Sequence, residues 1–277
     1  MNHPYSPALE SSRASHRAGW RVAERVLPPM GRKGWGRRYT YLAEDNRMVA
    51  FGDIHGRADL FSALIRAVGL KLSELSRKRT TMVVCGDFID RGPSSSMMLE
   101  VLRRATQTHS NFMVLRGNHE DALLGAAYGD VDAQRLWLEH GGEAFLKSYG
   151  MLPPQPDEDS FSFAGRLCSM IGTETLEWLE DLPTHYHEPP FFFCHAGVRP
   201  GIALGKQSRH DLLWIRQPFM QSAKDHGAII VHGHSVVSDV ELRDNRISLD
   251  TGAYETGNLS AVILDQDFTV VLTTVPE

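Results

Sequence analysis

Thr81-Met82-Val83-Val84-Cys85-Gly86-Asp87-Phe88-Ile89-Asp90-Arg91-Gly92 is the stretch on which the reading of the whole chain turns. Its first five residues are a short apolar run of the kind that forms a buried strand. The run stops at Gly-Asp, and a second aspartate and an arginine follow before the next glycine. The same arrangement stands on either side of it. Met48-Val49-Ala50-Phe51 leads into Gly52-Asp53-Ile54-His55-Gly56, and Phe112-Met113-Val114-Leu115 leads into Arg116-Gly117-Asn118-His119-Glu120. Between the first two strands Leu60, Ala63, Leu64, Ala67 and Val68 recur at helical spacing. A helix is expected over residues 95–105 and another from about His119. The pattern is βαβαβα, an α/β fold whose ligand-bearing residues gather at the carboxyl ends of parallel strands.

Further along, residues 130–185 read as mostly helical, with a loop at Pro153-Pro154-Gln155-Pro156. The last third is rich in strands, over residues 191–194, 228–231, 247–249, 259–264 and 268–273. The final two are expected to form a hairpin across Asp265-Gln266-Asp267. Two of these strands also end in imidazole-bearing turns, His195-Ala196-Gly197 and His232-Gly233-His234. Residues 1–45 look different. Arg13, Arg17, Arg21 and Arg25 recur every four residues, which on a helix makes one basic stripe, and Gly31, Gly34 and Gly36 follow. This segment is read as a solvated, flexible basic arm, and residues 46–277 as a single domain.

Composition narrows the function. A chain of 277 residues with 42% apolar and 23% charged content can bury a core of its own. A net charge of −5 gives no footing for a nucleic-acid partner. No apolar run approaches the length of a membrane span. Cys85, Cys168 and Cys194 are too few and too irregular for a disulfide framework, and they suit a reducing, cytoplasmic setting.

Asp, His and Asn among glycines point to metal chemistry. Carboxylate oxygen and imidazole nitrogen suit manganese, iron and zinc, and glycines let the backbone turn sharply enough to bring such side chains together. A lone Gly-Asp or His-Gly is usually only a turn, but five such turns in order, each at a strand end, converge on one reading. Two cations side by side can clamp the attacking and leaving oxygens of a phosphoryl transfer.

This motif set resembles the metallophosphoesterase (calcineurin-like) superfamily, and within it the phosphoprotein phosphatase branch in its bacterial and bacteriophage form. The resemblance covers roughly residues 47–265. It implies a four-layer α/β/β/α sandwich of two mixed sheets flanked by helices, and two divalent metal ions, manganese first, with iron or zinc also suited. It further implies that Asp53 and His55 bind the first metal, that Asp87 bridges both, and that Asn118, His195 and His234 bind the second. His119 would be the general acid, held by Asp90, and Arg91, Arg116 and Arg216 would grip phosphate oxygens. Arg216 matches by context only, in Leu212-Leu213-Trp214-Ile215-Arg216. Asp250, in Leu249-Asp250-Thr251-Gly252-Ala253, is given a supporting role.

Other residues are read more plainly. His232 is expected to support the site without binding metal. Cys85 and Cys194 are read as small core residues, and Trp137, Trp178 and Trp214 as packing. His140, His185 and His187 lack motif context. Glu120 either bonds nearby groups or starts a helix. The substrate is expected to be a phosphoprotein or small phosphoester, hydrolysed in line by a hydroxide between the metals, with a serine/threonine protein phosphatase as the first reading. Arg116 before Gly117-Asn118-His119 and Glu120 after it favour that over the alternative, a symmetrical diadenosine tetraphosphatase. A non-catalytic phosphate-binding module ranks last, because every expected ligand and the acid are present.

Overall fold

The computed structural model describes residues 20–33 and 39–276. In chain order its strands are β1 (Trp20–Leu27), β2 (Arg32–Lys33), β3 (Tyr39–Thr40), β4 (Asn46–Phe51), β5 (Arg79–Val84), β6 (Phe112–Val114), β7 (His185–Glu188), β8 (Phe191–Cys194), β9 (Ile229–His232), β10 (Glu241–Arg243), β11 (Arg246–Ser248), β12 (Ser260–Leu264) and β13 (Thr269–Pro276). The helices are α1 (Ala58–Glu74), α2 (Ser95–Thr108), α3 (Asn118–Ala127), α4 (Val131–Trp137), α5 (Glu143–Ser148), α6 (Ser160–Ile171), α7 (Thr173–Asp181), α8 (Arg209–Trp214) and α9 (Ala253–Thr256). One sheet has the order β1-β13-β12-β4-β5-β6 and the other β10-β11-β9-β8-β7. As the motif spacing requires, β4, β5 and β6 pair in parallel, with α1 and α2 as their crossovers.

Strand periodicity sorts the side chains into layers. Val49 and Phe51 of β4 face the cluster shared with Leu60, Leu64 and Leu102 of the helices, while Met48 and Ala50 face the second sheet. On β8, Phe191 and Phe193 meet that inter-sheet core, and Phe192 and Cys194 turn to the opposite side, where Leu212, Ile215 and Phe219 cover them. The result is helices, sheet, sheet and a thin outer layer around α8, the expected four-layer sandwich. The hairpin across residues 265–267 is present as β12 and β13, paired antiparallel. The edge of both sheets where β4, β5, β6, β8 and β9 end is where the five motif turns lie. No helix of the described residues is long and apolar enough to cross a membrane.

The boundary drawn at residue 45 needs correction. Residues 20–27 form no basic helix and no free arm; β1 is the antiparallel neighbour of β13, from Trp20 opposite Pro276 to Leu27 opposite Thr269. Trp20 and Val22 pack on the helix-side core, and Leu27 and Met30 on the inter-sheet core. Arg21 and Arg25 of the suggested stripe sit on an edge strand, where polar side chains are tolerated. Arg25 pairs with Asp239 at 2.8 Å, and Glu24 with Lys71 at 2.7 Å. Arg13 and Arg17 lie outside the described residues.

Candidate functional site

The turns that carry the motifs are strained in a telling way. Among the described residues, the non-glycine positions with positive φ are His55 (45°), Asp87 (47°), Asp90 (68°), Arg91 (64°) and His234 (61°). A side chain in this region costs on the order of 1–3 kcal/mol, and such strain persists where surrounding structure insists on it. All five are sequence-predicted site residues. Neighbouring glycines explain how the turns fit together. A Cβ on Gly233 would stand 1.8 Å from Asp53 Oδ1, and one on Gly117 would stand 2.2 Å from Asp87 Oδ1.

The six expected ligands are all buried, and they converge. Asp87 stands at the middle. Its Oδ2 lies 3.7 Å from His55 Nε2 and its Oδ1 lies 3.4 Å from His195 Nε2, so the two oxygens of one carboxylate address different imidazoles. Asn118 Oδ1 is 2.8 Å from His195 Nε2. Asp53 Oδ2 accepts the His234 backbone N–H at 3.0 Å. Two of the three expected ligand imidazoles are held from behind. His55 Nδ1 is 2.9 Å from the Ile89 carbonyl, and His195 Nδ1 is 2.9 Å from the Cys85 carbonyl. Such backing fixes the tautomer and leaves Nε2 as the free donor of a lone pair, as metal-ligating histidines require.

Two observations test whether cations fit here. Asp53 Oδ1 and His234 Nε2 are buried polar atoms with no partner, a costly condition unless a ligand relieves it. The carboxyls are also crowded: burial first, then Asp250 and Asp87, push Asp53 well above the usual carboxylate range, and burial and Asp87 raise Asp250. Positive charge among them would remove both penalties. Donor atoms of His55, Asp87 and His119 lie within 4.8 Å of one another, as do those of Asp87, His195 and His234, giving two groups that share Asp87.

The candidate acid, His119, has its Nδ1 2.7 Å from Asp90 Oδ2. Burial opposes an imidazolium, but the Asp87 charge and the Asp90 hydrogen bond outweigh it and lift His119 to about 9. Trp137, read from the sequence as packing only, donates its indole N–H to both oxygens of Asp90 at 3.1 and 3.0 Å. Glu120 organises backbone. Its carboxylate accepts the N–H groups of Asp87, Phe88, Ile89 and Gly117, tying the turn after β5 to the start of α3. Both ring nitrogens of His232 are engaged elsewhere, Nδ1 with the Gly233 carbonyl at 2.9 Å and Nε2 with the Ser248 hydroxyl at 3.0 Å.

The three arginines do not gather. Arg91 sits in the site, with its Nη atoms 3.2 Å from His55 Nε2 and from His119 Nε2. Arg116 faces a neighbouring cleft, where it donates to the Glu180 carbonyl and pairs with Asp121. Arg216 is exposed on the loop after α8, close enough to His234 for its charge to be felt there. Motif reading missed Tyr254, whose ring lies 4.5 Å from the Arg91 guanidinium carbon and 5.3 Å edge-on from His55. Its only signal was a position four residues after Asp250.

Known proteins agree with this geometry at the level of family. The model of the calcineurin-like phosphoesterases matches residues 47–270. A symmetrical bis(5'-nucleosyl)-tetraphosphatase of Acidovorax ebreus is 32% identical over 151 residues, which cover 45% of this chain and 51% of that protein, so the match spans about half the relative's length. An asymmetrical bis(5'-nucleosyl)-tetraphosphatase, PrpE of Bacillus thuringiensis, is 25% identical over 232 residues, 76% of this chain and 87% of that protein. Two solved structures share the fold: a candidate diadenosine tetraphosphatase (TM-score 0.59, 21% identity, 85% of this chain and 95% of that one) and a protein serine/threonine phosphatase of Saccharomyces cerevisiae (TM-score 0.53, 16% identity, 85% and 81%).

Proposed function

This chain belongs to the calcineurin-like phosphoesterase family, and from that premise we propose that it hydrolyses phosphate esters or anhydrides of nucleotides at a centre of two divalent cations. The observation that carries the two-cation reading is Asp87, one buried carboxylate whose oxygens face separate groups of imidazoles. Asp53 and His55 would hold one cation, Asn118, His195 and His234 the other, and Asp87 both. When bound, such a pair neutralises phosphate charge and makes water acidic enough to attack phosphorus near neutral pH. The protein's own groups do the rest. Arg91 presents a guanidinium fork suited to phosphate oxygens. His119, kept protonated by the Asp87 charge and the Asp90 hydrogen bond, donates a proton to the departing oxygen. Trp137 fixes Asp90 so that the imidazole keeps its orientation.

A nucleotide substrate stands first because the two curated relatives bear the names of dinucleoside tetraphosphatases. The features that favoured a protein phosphatase have other work: Glu120 organises backbone, and Arg116 faces the cleft. A phosphoserine or phosphothreonine substrate is the second reading, supported by a site whose acid can protonate an alkoxide leaving group. Assaying metal-stripped protein with manganese against diadenosine tetraphosphate, p-nitrophenyl phosphate and a phosphoserine peptide separates the readings. Preference for the dinucleotide is expected; preference for the peptide reverses the order, and no turnover with any divalent metal refutes the enzyme.

A further inference from the structure

Beside the site lies a cleft of about 520 Å³, within the range of small-molecule pockets. It runs between α3, α4 and α8 and touches the metal-ligand set at two points. Arg116 in its wall comes two residues before Asn118, and Asp121 in its wall comes three residues after Asn118 on α3. A group tethered to a phosphate at the ligands therefore finds this cleft next to it.

The chemistry of the lining selects the group. Arg116 and Arg209 face three carboxylates, Asp121, Asp130 and Glu180, and Asp121 pairs with both arginines. With no positive excess left, the cleft is not a second anion site. What remains open is aromatic. Tyr128 is 56% exposed, and Trp214 is only half-buried. Flat aromatic faces among fixed polar groups suit a neutral, planar, hydrogen-bonding ligand. Stacking of a base on an aromatic side chain is worth enough to shift affinity at least several-fold.

We propose that this cleft seats the nucleobase of a nucleotide substrate, with Tyr128 and Trp214 supplying the faces it lies against. This rests on the reading of the adjoining centre as a phosphoesterase and adds the source of its selectivity. The base is held by ring faces and the phosphate by Arg91 and the cations, so selectivity and turnover are separable.

The test compares kcat/KM for diadenosine tetraphosphate, p-nitrophenyl phosphate and a phosphoserine peptide in the wild type, Tyr128→Leu and Tyr128→Phe. Tyr128 is largely exposed, so neither change opens the core. Tyr128→Leu is expected to lose about tenfold more on the dinucleotide than on p-nitrophenyl phosphate, chiefly through KM. Tyr128→Phe, which keeps the ring, should recover most of that loss. Equal losses on both substrates, or a loss confined to the peptide, overturn the proposal. A wild type that hydrolyses p-nitrophenyl phosphate without advantage for the dinucleotide overturns the cleft alone. A wild type inert toward all three overturns the phosphoesterase reading and the cleft with it.

Discussion

The proton on His119 is placed by two carboxylates that do different things. Asp87 contributes charge, while Asp90 contributes a 2.7 Å hydrogen bond that also fixes the ring. His119→Asn keeps a polar group of similar size but has no proton to give. Its kcat is expected to fall by about 10²–10⁴, with metal content by mass spectrometry unchanged. The loss should be larger for phosphoserine than for p-nitrophenyl phosphate, whose leaving group needs little protonation; equal losses would remove His119 from the acid role. Tyr254 makes a second residue-scale case. Its ring under Arg91 is worth about 1 kcal/mol as a cation–π contact, or roughly fivefold in phosphate binding. Tyr254→Leu should therefore raise KM about fivefold, and Tyr254→Phe should leave it near the wild-type value. If both substitutions act alike, the ring does not hold the arginine.

Between elements, the most constrained charge away from the site is Asp265 in the turn joining β12 to β13. It pairs at 2.8 Å with Arg47 of β4 and with Lys78 just before β5. Although burial works the other way, these two cations hold its carboxyl below the usual range. Because the folded value lies below the unfolded one, its stabilising effect is complete above about pH 4 and is lost as pH falls through the folded value. Asp265→Asn should cost about 3 kcal/mol in urea unfolding at pH 7, since it leaves the buried Arg47 without its carboxylate. The gap to wild type should narrow below about pH 4. A constant gap down to pH 2 would mean that the pair adds nothing through its charge. This scale also shows what could be read in advance. The parallel core strands β4, β5 and β6 were legible because both faces of each are buried, which leaves continuous apolar runs. The edge strands β1 and β10 were not, because charged side chains such as Arg21, Glu24 and Arg243 break the alternation. β7 was hidden by its own polar residues, His185 and His187, which alternate with Tyr186 on an edge and look like loop. The candidate ligands were legible because their turns demand glycine beside Asp or His. Trp137, Tyr254 and the cleft depend on contacts between segments far apart in sequence, which no local spacing records.

For the molecule as a whole, the two sheets meet at a rim where repelling carboxyls and unpaired donors are held in strained turns. A fold built this way is stabilised by whatever cations bind it and destabilised without them. At about a thousandfold excess of metal over its dissociation constant the linkage amounts to about 4 kcal/mol per site. Chelation is therefore expected to lower Tm by on the order of 10 °C in a domain of this size. Added manganese should restore it, and an unchanged Tm in chelator would indicate that the rim is stable without metal. The most direct test of the centre is anomalous diffraction at the manganese edge from crystals soaked in manganese. Two peaks about 3.5–4 Å apart, one on each side of the Asp87 carboxylate, are expected. A single peak, or peaks away from Asp53, His55, Asn118, His195 and His234, would contradict the binuclear site.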